Sequence, residues 1–165
     1  MSFFSKSKSN VTIPDREESA YCGQYSHEQD VDRLIEIFQD SAKLAMESRN
    51  PETAHSRYEL LIESYHQLKS LSIGRTLRKN TDSVMEDMVS TFPSQVCVNE
   101  ALGLCDKANK VKTIKTQYKY LKKAEEVLRK GLEEINSDKD NEKIIEVYEQ
   151  VNNYLKQVED QIENN

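Results

Sequence analysis

The stretch VDRLIEIFQDSAKLAMESRNPETAHSRYELLIESYHQL, residues 31–68, decides the fold. Val31, Ile35, Phe38, Ala42 and Ala45 recur at steps of three and four, and so do Ala54, Tyr58, Leu61, Tyr65 and Leu68. That spacing lays one apolar stripe along each of two helices. Asn50-Pro51 divides them, because the residue before a proline avoids the helical region while proline itself suits the first helical position. Two stripes joined by so short a link predict an antiparallel hairpin. Its first helix runs to about Ser48 and its second from Pro51 to about Ser70.

The same rhythm returns twice downstream. It runs through Val111, Ile114, Tyr118, Leu121, Leu128, Leu132 and Ile135, then through Ile144, Tyr148, Val151, Leu155, Val158 and Ile162. Between residues 70 and 110 it loosens. Gly74 reads as a helix end or turn, and Asn80, Thr81 and Asp82 as caps for a short helix through Val84, Met88 and Phe92, which Pro93 ends. Ser94 then caps a helix carrying Val98, Leu102 and Cys105. A break at residues 109–112 is expected, with Thr113 capping the next helix to about Ile135; without that break the two helices merge. A polar turn over 136–141 leads to a last helix from about Asn141 to Glu163.

Upstream, residues 1–27 read as a flexible lead-in: four of the first ten are Ser, Pro14 follows, and no period appears. The first helix is expected to start near Ser26 or Asp30, with Ser26 and Gln29 at the spacing of a capping box. The division is therefore a lead-in over 1–27 and a helical domain over 28–165. Within the latter lie a hairpin at 28–70, a connector at 71–93 and further hairpins at 94–165. The fold class is all-α: antiparallel helical hairpins packed as an irregular bundle or short solenoid.

Composition agrees. With four Gly and three Pro in 165 residues, the chain lacks the turn residues of a β-rich fold. Charged residues make up 32%, which suits slim helices with broad wet sides. No run of eighteen apolar residues appears, so no membrane association is expected. The start MSFFSK has no apolar core of a signal sequence. Cys22, Cys97 and Cys105 form no CxxC pair, and a reducing, cytoplasmic setting is expected.

Phe38, Ala42, Ala54, Tyr58 and Leu61 stand where tetratricopeptide-type repeats place a large residue, two small ones, an aromatic and an apolar residue. Residues 38–66 thus resemble that family, although His66 occupies the place of its terminal proline and Ala45 that of its usual aromatic. The resemblance implies a repeat-like hairpin and a peptide- or protein-binding role. A shift of 60 residues lays Tyr58 on Tyr118, Leu61 on Leu121, Ser64 on Ala124, Leu68 on Leu128 and Ala45 on Cys105, as a duplicated hairpin would.

Chemistry is sparse. Glu-x-x-His occurs at Glu52–His55 and Glu63–His66, but both copies lie on one helix, roughly 16 Å apart at helical rise, and cannot share one dinuclear centre within a protomer. Cys22 and His27 are two ligands, short of a zinc set. No phosphate loop, HExxH or GxSxG appears. No catalytic residue, metal or cofactor is therefore expected.

Charge carries the functional signal. Residues 107–130 hold nine Lys or Arg against Glu125 and Glu126, a balance of +7, and residues 131–165 hold ten acids against three Lys, a balance of -7. Lys112, Lys115, Lys119, Lys122, Lys123, Arg129 and Lys130 gather on one helical flank, with Tyr120 beside them. These eight residues are the candidate partner-binding set. The expected function is a non-catalytic intracellular interaction module, with apolar grooves between hairpins for affinity and the flank steering an acidic protein partner. The alternative is nucleic-acid binding through the 107–130 helix, with Tyr120 stacked on a base. The seam of the last helix, residues 141–163, offers a route to a homo-oligomer.

Overall fold

The computed structural model describes residues 16–135 and 138–164. Five helices follow one another: α1 (Arg16–Glu47), α2 (Pro51–Ser70), α3 (Arg75–Lys110), α4 (Ile114–Glu134) and α5 (Asp138–Glu163). The protein is all-helical among the described residues. α1 pairs with α2 and α3 with α4 as antiparallel hairpins, and α5 packs on α4 and α3.

The first hairpin forms as its sequence dictates. Asn50 stays extended, and its side chain accepts the Glu52 and Thr53 amides at 3.0 and 3.4 Å, while Pro51 opens α2. Ser48 Oγ accepts the Asn50 amide at 3.2 Å and closes the link. α1 itself begins at Arg16 rather than at Ser26 or Asp30. Only Gly23 interrupts an otherwise helix-compatible run, and one glycine costs about 1 kcal/mol without ending a helix. Ser26 is therefore interior to α1. Residues 1–15 of the lead-in, like the turn residues 136 and 137, lie outside the described residues.

The connector expected over 71–93 is replaced by one long helix. α3 spans 36 residues, about 54 Å, and Gly74 is its N-cap. Pro93 sits inside it. Proline removes the bond to the carbonyl of Val89, but both residues lie on the exposed side, where water takes over that acceptor. Beside Pro93, Phe92 and Val96 are buried and hold the helix together. Thr81 and Ser94, expected as caps, are buried within α3 and bond back to carbonyls of the preceding turn: Thr81 to Leu77 and Arg78, Ser94 to Thr91. The break at Val111–Thr113 is real, and α4 starts behind Thr113.

α3 carries two cores. The N-terminal one joins Phe38, Ala45, Leu61 and Leu68 to Met85, Met88, Phe92 and Val96. The C-terminal one joins Val98, Ala101 and Ala108 to Leu121, Leu128, Ile144, Val151 and Leu155. Among the described residues, the backbones of α1 and α2 pack against α3 and not against α4 or α5. The 60-residue shift maps buried positions onto buried positions: Phe38 on Val98, Ser41 on Ala101, Leu61 on Leu121, Ser64 on Ala124 and Leu68 on Leu128. Ala45 is fully buried whereas Cys105 is half-buried, so the correspondence loosens at the hairpin tips.

Gly131 shows how closely α3 and α4 approach. A Cβ there would overlap the Cys97 sulphur and touch Ile144. Gly131→Ala should therefore lower stability by about 1 kcal/mol despite its better helix propensity. Paired with Cys97→Ala, which clears the overlap, the same change should become neutral or favourable. Urea denaturation of the two single variants and the double variant reads this coupling.

Candidate functional site

α4 buries Leu121, Ala124, Leu128 and Gly131 against its neighbours. The opposite, outward side carries Lys115, Lys119, Lys122, Lys123, Arg129 and Lys130, all exposed, with Lys112 exposed in the preceding link. The structure thus brings the seven cationic candidates onto one surface. It also divides them. Lys122 pairs with Glu125 at 2.9 Å, Arg129 with Glu133 at 2.7 Å and Lys130 with Glu126 at 3.0 Å. These are contacts one turn apart along the helix, exposed to water and weak. The Glu125 carboxylate raises the Lys122 pKa, and Lys130 lowers that of Glu126. Lys112, Lys115, Lys119 and Lys123 have no acid within 4 Å among the described residues, and they form the row at the N-terminal end of α4.

Tyr120 stands apart from this row. It is half-buried and packs against the C-terminal core, so its ring is committed to the protein rather than presented for stacking. Tyr118 is the ring nearer the cations, with Lys122 Nζ 5.8 Å from its centroid.

A groove runs along the other edge of α4, between it, α3 and the start of α2. Pro93, Val96, Cys97, Val127 and Ile135 supply apolar walls, and His55, Glu100, Lys130 and Glu134 a polar rim. Lys123 lies one turn before Val127 on that edge, so the groove and the lysine row adjoin. A second groove, between α2 and α3, is lined by Tyr58, Ile62, Tyr65, Met85 and Val89, the last 59% exposed. Tyr65 donates to Asp82 at 2.7 Å and accepts from Lys69 at 2.9 Å, closing one side. The sequence pattern gave no sign of this second groove, because it depends on α3 continuing through residues 75–92.

His55 meets the Phe92 ring edge-on at 5.4 Å, and His66 lies against Tyr65 at 5.6 Å. Among the described residues no three His, Cys, Asp or Glu side chains converge as metal ligands. Cys22 and His27 fall where α1 side chains are not described. Cys97 and Cys105 are free thiols. Burial, with the Glu100 charge adding to it, pushes Cys97 up to about 11, and burial also raises Cys105. Both stay protonated at neutral pH and act as small apolar groups.

No described helix is long and apolar enough to cross a membrane. Comparison of the chain with protein-family models, curated proteins and solved structures found no match.

Proposed function

We propose that this chain is a non-catalytic protein-binding module of a reducing compartment, the cytoplasm, built from tetratricopeptide-like hairpins. The α4 lysine row draws in an acidic partner, and the adjoining groove between α2, α3 and α4 takes up apolar side chains of that partner. One observation carries this reading: Lys112, Lys115, Lys119 and Lys123 are exposed and have no acid within 4 Å among the described residues, while Lys122, Arg129 and Lys130 are paired within their own helix. An unpaired row projects the field that steers association. Lysine recognises phosphate as readily as carboxylate, which is the basis of the nucleic-acid alternative. The packing of Tyr120 into the core weighs against it, since sequence-tolerant binding of single strands leans on exposed rings.

The test is affinity capture from the native host with the wild type and a Lys115→Glu/Lys119→Glu/Lys123→Glu variant as baits. Loss of at least about tenfold of a co-purifying acidic protein, with unchanged helical circular dichroism, is expected. Equal capture by both baits overturns the role of the row. A gel shift with single-stranded DNA or RNA that weakens steeply with salt would favour the alternative.

A further inference from the structure

We infer that the acidic surface met by the α4 lysine row is α5 of a second copy of this chain. The inference rests on the row being a docking surface and names its partner. α5 presents outward, on one flank, Glu142, Ile145, Glu149, Lys156, Asp160 and Glu163, all exposed, with the half-buried Asn152 between Glu149 and Lys156. Its own buried residues, Ile144, Val151, Leu155 and Val158, face the opposite way into the C-terminal core. The apolar seam of α5 from Ile144 to Val158 is thus used within the protomer, and what faces a partner is a mainly acidic flank.

α4 and α5 lie side by side and antiparallel, with the basic start of α4 beside the acidic end of α5. The Glu159 charge acts on Lys122 across that boundary. Yet every ion pair of α4 is internal to it, and none within 4 Å joins α4 to α5 among the described residues. The protomer therefore carries a basic ridge and an acidic ridge next to each other, neither neutralising the other by direct contact.

Such a surface complements itself. A two-fold axis in the contact plane, parallel to the helices, lays α4 of one copy along α5 of the other and repeats the same contact in reverse. The result is a closed dimer. Lys112, Lys115 and Lys119 then oppose Asp160 and Glu163, and Ile145, 44% exposed, enters the contact as its apolar element. The other in-plane axis would set lysines on lysines. Two such helices offer about 30 Å by about 20 Å, or on the order of 600 Å² per copy, at the low end of specific interfaces. The dimer is accordingly weak and salt-sensitive.

Sedimentation velocity of the full chain tests this at about 20 mM and about 0.5 M NaCl, conditions that differ severalfold in screening length. Dimer at low salt and monomer at high salt is expected. Lys115→Glu/Lys119→Glu/Lys123→Glu and Glu142→Lys/Glu149→Lys/Asp160→Lys should each be monomeric at low salt. Mixed together they should form a heterodimer, because each then offers what the other lacks, and that recovery also shows both variants folded. Wild type that stays monomeric at low salt, or dimerisation indifferent to the reversals, overturns the inference. Loss of lysate capture by the lysine variant without any wild-type dimer would leave the docking row standing and assign it to a different acidic protein.

Discussion

Phe92→Ala should cost about 3–5 kcal/mol of unfolding free energy, the usual cost of emptying a buried phenylalanine site. Phe92 is 4% exposed, stacks on Tyr58 with ring centroids 4.1 Å apart, and receives the edge of His55. It is the main apolar link between α2 and the middle of α3. Against a typical total of about 5–15 kcal/mol, the loss is a large fraction. Its distribution is as informative as its size. Because α1 and α2, among the described residues, pack against α3 and not against α4 or α5, amide exchange should speed up in α1 and α2 more than in α4 and α5. Urea unfolding gives the total and hydrogen exchange gives the distribution. A cost below about 1 kcal/mol would mean that Phe92 does not occupy this packed site.

That residue also marks where sequence reasoning stopped short. Asn50-Pro51 is legible because cap and proline act together at a place where no apolar residue needs the helix to continue. Pro93 carries the same local signal but the opposite context. Phe92 and Val96 flank it on the buried side and Val89 faces water, so packing outweighs one missing hydrogen bond. A proline penalty is local, whereas the reward for continuing α3 comes from α1, α2 and α4, which a linear reading does not weigh. Gly74 fails for a related reason. Glycine suits either end of a helix, and only the packing of Thr81 and Met85 decides that α3 begins there.

The lysine flank was legible as a composition and as a face. Its internal division was legible too, in hindsight: Lys122–Glu125, Glu126–Lys130 and Arg129–Glu133 stand at three- and four-residue spacings. Lys115 and Lys119 have no acid at those spacings within α4, and Lys123 has Glu126 three residues on, but Glu126 pairs with Lys130. The packing of Tyr120 against the C-terminal core was not legible. At the edge of an apolar stripe a tyrosine serves either side, and the packing of neighbouring helices settles which.

Asn99 is the position the helical period hides, and its replacement should have the second-largest effect. It is 7% exposed in the middle of α3, a buried polar side chain. Its Nδ2 donates to the Met46 carbonyl at 2.7 Å, and Gln95 Nε2 donates to its Oδ1 at 2.9 Å. Met46 is in the last turn of α1, whose carbonyls lack partners within the helix. The nearby amides are already engaged, Ser48 with Leu44 and Asn50 with the Ser48 hydroxyl. Asn99 thus caps α1 from a different helix. Asn99→Leu has the volume to fill the site but leaves the carbonyl buried and unpaired, so a loss of about 1–3 kcal/mol in urea unfolding is expected. Asn99→Asp separates hydrogen bonding from shape. Neutral, its carboxyl donates to Met46 as the amide does; ionised, it turns two acceptors on each other. The folded state then raises the aspartate pKa above its unfolded value of about 3.9. Relative to wild type, the variant should be close in stability below that value and lose ground as pH rises through the raised folded-state pKa. A difference that stays flat from about pH 3 to pH 7 would mean that residue 99 does not cap α1.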